Sequence, residues 1–227
     1  MNKHAFTLAE ILITLGIIGI VASLTMANVI TNYQKKSTVT KLKVAYQTIS
    51  EAIERAKLDY GDTLEVPESV YTTITLNSNN INLSKLYFDP YFEGAYRYSG
   101  KSIQIKNKSK TANFILGYSG IGGGDANPLC TTKGFCYWVI NHTTNYYLII
   151  IDINGPKGPN IAGRDVFLLD ISGKYIPWKG IRTIEKPLGN TPYFNLCDND
   201  TNNTWNGGYC ARLIIENGWE MPKDYPW

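Results

Sequence analysis

Apolar positions along the chain change their rhythm twice. Residues 11 to 34, "ILITLGIIGIVASLTMANVITNYQ", carry no charge, and apolar side chains fall on every face. As a helix this stretch rises about 36 Å, enough to cross a hydrocarbon core of about 30 Å. In the next segment the apolar residues thin to Leu42, Ala45, Ile49, Ala52, Ile53, Ala56 and Tyr60, while Lys41, Lys43, Gln47, Glu51, Glu54 and Lys57 fill the other faces. Steps of three and four predict an amphipathic helix with one side on a core, closed by Gly61.

Past Gly61 the period shortens. Runs of β-formers follow: "YTTITL" (71–76), "GAYRYSG" (94–100), "SIQIK" (102–106), "ANFILGYS" (112–119), "YWVINH" (137–142), "YYLIIIDI" (146–153) and "DVFLLDI" (165–171). Clusters of Gly, Asn and Pro separate them, which predicts an antiparallel sheet of short strands. A long helix laid on such a sheet is an α+β fold. Residues 77–93 and the tail from about 177 read as loops. The tail holds one short apolar turn, "CARLIIEN", stopped by Gly218, and ends in Trp219, Tyr225 and Trp227. Those aromatics either pack at the edge of the core, the favoured reading, or form an exposed patch for carbohydrate or surface adhesion.

Composition narrows the function classes. The 227 residues carry a net charge of +3, too mild to point to nucleic acid. The four lysines of "KSIQIKNKSK" (101–110) read as a solvated strand and its turn. There is no G-x-S-x-G, no P-loop, and only His142 beyond the first residues, so no enzyme class is indicated. The same lack of histidine and of C-x-x-C argues against zinc for Cys130, Cys136, Cys197 and Cys210. An even cysteine count in a chain headed by a membrane or export segment favours disulfides. Of three pairings, Cys130–Cys136 and Cys197–Cys210 are the economical one.

The connection "DINGPKGPNIAGRDVF" offers Asp152, Asn154 and Asp165 as hard oxygen ligands, with glycines that let carbonyls turn inward and prolines that stiffen the path. Ca²⁺ is the cation such ligands suit, although the EF-hand pattern is not met. A hairpin held by Asx-turns without metal is the competing reading, and the favoured one.

Glu10 is the anomaly. A carboxylate at the head of a membrane-length helix costs up to about 2.5–3.5 kcal/mol on insertion scales. A secretory signal cut near Thr25-Met26-Ala27 gives it no task. "AFTLAE", after the short basic leader of Met1 to Ala5, resembles the cleavage and methylation motif of type IV prepilins and type II secretion pseudopilins, and the likeness runs to about Ile30. The resemblance implies cleavage between Ala5 and Phe6 by a prepilin peptidase that also methylates the new amine of Phe6. It implies that the Glu10 carboxylate faces the Phe6 amine of a neighbouring subunit. Two buried charges are tolerable when paired, and pairing fixes register. Ala5 stands where the family usually has Gly, and Ala27 where many members have a kinking Pro, so the helix is expected to run straight.

The same resemblance implies a leader at 1–5, a transmembrane and assembly helix at 6–32, and a globular head at 33–227 that begins with helix 33–60. Lys3 and the amino terminus place the leader in the cytoplasm of a bacterium and the head in the periplasm. Expected partners are the peptidase and methylase, other pilin subunits and an inner-membrane assembly platform, with no nucleic acid. The expected role is structural, in a pilus or pseudopilus; a minor pilin acting as a tip adhesin is the alternative. Two further likenesses are looser. A disulfide-closed loop near the C-terminus resembles the variable loop of many type IV pilins. Some major pseudopilins hold a structural Ca²⁺ in a late loop, but their motif does not align residue for residue with 152–165.

Overall fold

A computed structural model describes residues 7–61, 89–99, 104–107, 110, 128–143, 146–170, 197, 206–208 and 210–227. The expected strands 71–76 and 112–119 lie outside these residues. The chain forms two compact units, Met1–Ser37 and Thr38–Trp227. One helix, α1 (Leu8–Tyr60), supplies most of the first unit and the opening of the second.

In the first unit the helix is apolar all round and bare, with Leu12, Leu15, Ile18, Val21, Leu24 and Val29 each more than half exposed. A helix of that kind is made for a nonpolar solvent, and this one is long and apolar enough to cross a membrane. Its hydroxyls are already satisfied within the helix. Thr14, Ser23, Thr25 and Thr31 each donate to a carbonyl three or four residues back, at 2.8–3.0 Å. Such back-bonding removes the penalty of an unpaired hydroxyl in hydrocarbon.

The second unit is α+β. Five antiparallel strands lie in sequence order: β1 (Tyr96–Arg97), β2 (Leu129–Cys130), β3 (Cys136–Thr143), β4 (Tyr146–Asp152) and β5 (Val166–Asp170). β3 and β4 run opposite each other from Cys136↔Asp152 to Thr143↔Tyr146, with one irregularity near Asn141. Tyr137, Val139, Ile149, Ile151, Phe167 and Leu169 face one side, where they cluster with Leu42, Ala45, Ile49, Ala52 and Ile53 of α1. The alternate residues Trp138, Ile150 and Leu168 point the other way and are equally buried. A sheet covered on both faces needs strands without alternation, which is why "LIII" reads as a continuous apolar run. Ala45, Ala52 and Ala56 of α1 are buried as well.

Three elements differ from the sequence reading. β2 has only two residues, Leu129 and Cys130, too few to announce themselves by period. Of the expected strand 102–106, the described part (104–106) enters the fold only through an isolated parallel bridge, Lys106 to Ile161. "CARLIIE" is a full helix, α2 (Cys210–Glu216), rather than a turn. It ends in a Schellman arrangement: Trp219 N–H donates to Ile214 O at 2.9 Å and Gly218 N–H to Ile215 O at 3.1 Å. Gly218 takes the left-handed φ of +70° that this cap requires.

The tail packs inward. Trp219 meets Tyr46 edge-on with ring centroids 5.1 Å apart, and Lys43 Nζ sits 5.7 Å from its ring. Tyr225 is 4% exposed, and its hydroxyl donates to Gly163 O. Arg164 stacks over Trp227 at 4.8 Å. Edge packing is therefore the role these aromatics take.

Candidate functional site

The head of α1 is built from four residues, Thr7-Leu8-Ala9-Glu10. A helix leaves its first N–H groups without intrahelical partners, and a nonpolar surrounding makes each one costly. Here they are met reciprocally. Glu10 Oε2 accepts from the Thr7 N–H at 2.8 Å and from the Thr7 hydroxyl at 2.8 Å, while the Glu10 N–H donates to Thr7 Oγ1 at 3.3 Å. This is a capping box, and it places a negative charge at the positive end of the helix dipole. The arrangement holds Glu10 at the surface of the apolar helix with its carboxylate shared only with its own chain.

Ala5 and Phe6, the expected processing residues, lie outside the described residues. Thr7 is the functional residue the sequence reading missed. Its signal was available: Thr three positions before Glu, ahead of an apolar run.

The 152–165 connection is the second candidate. The structure brings Asp152, Asn154 and Asp165 together through Asn154, whose N–H donates to Asp152 Oδ1 at 3.2 Å and whose Nδ2 donates to Asp165 Oδ2 at 3.2 Å. Asp165 Oδ2 also accepts the Asn160 N–H at 2.8 Å, and Oδ1 accepts the Ile161 N–H at 2.5 Å. N–H donors thus occupy Asp152 Oδ1 and both Asp165 oxygens. Asn154 turns its amino group toward Asp165, and its buried Oδ1 has no hydrogen-bond partner. Holding Ca²⁺ here would require that carboxamide to turn over. Among the described residues no three His, Cys, Asp or Glu side chains group as metal ligands. Burial of Asp165 pushes its carboxyl above the ordinary carboxylate range, against the opposing pull of the N–H groups of Ile161, Asn160 and Asn154.

The cysteines join in sequence-neighbour pairs. Cys130–Cys136 closes the β2–β3 hairpin with its Cα atoms 4.0 Å apart, and Cys197–Cys210 anchors the start of α2 with its Cα atoms 5.0 Å apart.

Comparison with known proteins bears on the first candidate. The sequence profile of the prokaryotic N-terminal methylation motif matches residues 1–26, and that of a family of unknown function (DUF6613) matches residues 28–122. No curated protein and no solved structure matches the chain. The first match takes in Ala5, Phe6, Thr7 and Glu10 together with most of the apolar helix. The capped carboxylate at the head of the membrane-length helix lies inside that motif, so residues 1–26 bear the prokaryotic N-terminal methylation motif, the signature of type IV pilins and pseudopilins.

Proposed function

We propose that this chain is a structural subunit of a type IV pilus or of a type II secretion pseudopilus. In this reading a prepilin peptidase cuts between Ala5 and Phe6 and the Phe6 amine is methylated. Residues 6–32 then serve as the transmembrane and assembly helix, and residues 33–227 form a head on the periplasmic side of the bacterial inner membrane. An assembly platform in that membrane adds subunits to the filament through their helices. The observation that carries the reading is Glu10, bonded only to Thr7 of its own chain at the end of an otherwise uncharged helix. In a filament, the Phe6 ammonium of a neighbour supplies the opposite charge.

The tip-adhesin alternative calls for an exposed aromatic platform in the tail. Trp219 and Trp227 are partly buried and Tyr225 is fully so, which favours the filament-body role.

Mass spectrometry of the mature protein tests the processing step, with N-methylated Phe6 expected as the first residue. Glu10→Gln should leave cleavage intact and abolish filaments. Normal filaments from that variant would remove the ion-pair role, and a mature protein beginning at Asn28 would remove the pilin reading altogether.

A further inference from the structure

Two pre-formed surfaces that each carry exposed charges of both signs lie on the second unit. The first is a cavity of about 280 Å³ walled by α1, by the turn after Asp89–Tyr91, and by the tip of the β2–β3 hairpin. Glu51 and Arg55 stand on its helix side, Glu93 on the turn, and Thr132 and Lys133 on the hairpin tip. Glu51, Arg55 and Glu93 are exposed and make no ion pair; Lys133 is exposed and donates to Thr48 Oγ1 at 3.0 Å. The walls are fixed. The Cys130–Cys136 disulfide locks the hairpin, Thr131 N–H donates to Phe135 O at 2.9 Å, and Tyr91 OH donates to Asp59 at 2.6 Å. Phe92 packs on Phe135 and Tyr137 beneath the cavity.

The second surface is the tail turn, Glu220 to Asp224. Trp219 on Tyr46 pins one end and Tyr225 on Gly163 pins the other. Tyr225 N–H donates to Pro222 O at 3.0 Å, and Asn217 Nδ2 donates to Glu220 O at 3.1 Å, which closes the turn. Glu220, Lys223 and Asp224 are left exposed in the order acid, base, acid. The cavity rim offers two bases for the two acids of the turn, and two acids for its base.

We infer that the turn 220–224 of one copy docks into the 51/55/93/133 cavity of the next, an inference that rests on the filament reading above. The match of two bases to the two acids of the turn, and of two acids to its base, chooses the occupant, and a rim of charged and hydroxyl side chains suits a polar turn rather than an apolar ligand. Trp219 packs at Tyr46, five residues before Glu51, a rotation of about 140° round the helix. The two surfaces therefore face different sides, and a chain is unable to dock its own turn in its own cavity. A contact between unlike surfaces repeats from copy to copy, and when it fails to close on itself it generates an open helical polymer.

Charge swapping in the full-length, processed chain tests this. Arg55→Glu with Lys133→Glu makes the cavity wholly acidic, and Glu220→Lys with Asp224→Lys makes the turn wholly basic. Each pair alone should lower recovered filament by about tenfold with the melting temperature unchanged, because all four side chains are exposed. The fourfold variant should recover assembly, as should co-expression of one chain carrying the cavity pair with another carrying the turn pair. Wild-type yield from both single-surface variants, or no recovery in the fourfold variant, would overturn the contact while leaving the filament role intact. Failure of the wild-type chain to polymerise would overturn both.

Discussion

Asp165 is the residue on which the late loop turns. Its carboxylate gathers the N–H groups of Asn154, Asn160 and Ile161, yet burial raises its pKa above 3.8. A raised carboxyl pKa means that the folded state binds more protons than the unfolded one between the two values. Its contribution is therefore fully present below the unfolded pKa and is lost as pH rises through the folded value. Relative to Asp165→Asn, which does not titrate, the wild type should lose melting temperature as pH is raised above about 3.8. The loop also gives a cation test. With Asp152 Oδ1 and both Asp165 oxygens engaged by N–H donors, the detergent-solubilised chain should melt at the same temperature in millimolar Ca²⁺ and in chelator. A higher melting temperature in Ca²⁺, abolished by Asp152→Ala, would show that Asn154 turns over and that Asp152, Asn154 and Asp165 hold the ion. From sequence, the oxygens of this loop and an Asx-turn such as Asn154 N–H on Asp152 were legible, but the particular N–H groups that gather on Asp165 were not, because backbone N–H groups carry no residue-type signal. Thr7 is a local partner for Glu10, and spacing alone does not separate it from an external one.

Elements were legible where period and length were long. The α1 pattern placed Leu42, Ala45, Ile49 and Ala52 on the core side, and all are buried. Ile49→Ala should cost about 2–5 kcal/mol by opening a cavity between helix and sheet, as denaturant titration would show. Strands β3, β4 and β5 were visible as apolar runs, whereas β2 is fixed by the Cys130–Cys136 bridge and by pairing to β3 rather than by its own composition. Close approach separates two glycines near the C-terminus. Gly218 has a positive φ with open space around it, so Gly218→Ala should cost about 1 kcal/mol of backbone strain. Gly207 has φ +98°, and an added Cβ would lie 2.4 Å from Ala162 O. Strain and overpacking together put Gly207→Ala at about 3 kcal/mol or more, and the same denaturant titrations compare the two.

At the scale of the molecule, the α+β class followed from the change of period at Gly61, and the proposed filament role rests on a few residues near the amino terminus. The head by itself would have told little, since its chemistry is packing, turns and two bridges. Those bridges close loops of unequal length, with sequence separations of 6 and 13. In the chain-entropy picture they contribute about 2 and 3 kcal/mol. Reduction should lower the melting temperature, and Cys197→Ser/Cys210→Ser should account for the larger share.

Among the described residues the sheet ends on β1 and β5, and both strands are guarded. β1 is two residues long and carries Arg97, whose guanidinium is tied to Asp89. On β5 the outward N–H of Leu168 donates to Gly208 O at 3.1 Å, so the turn ahead of α2 lies along that edge. Open strand edges are templates for pairing with another chain. If subunits wait in a membrane as the proposed function has it, they are crowded and share one orientation, the conditions under which an open edge would recruit its neighbours. The Cys197–Cys210 bridge tethers the chain just beyond Gly208 and so holds the cover on that edge. Mild reduction at high protein concentration should therefore yield β-rich aggregates before the head melts, while the oxidised chain stays dispersed until its helices assemble.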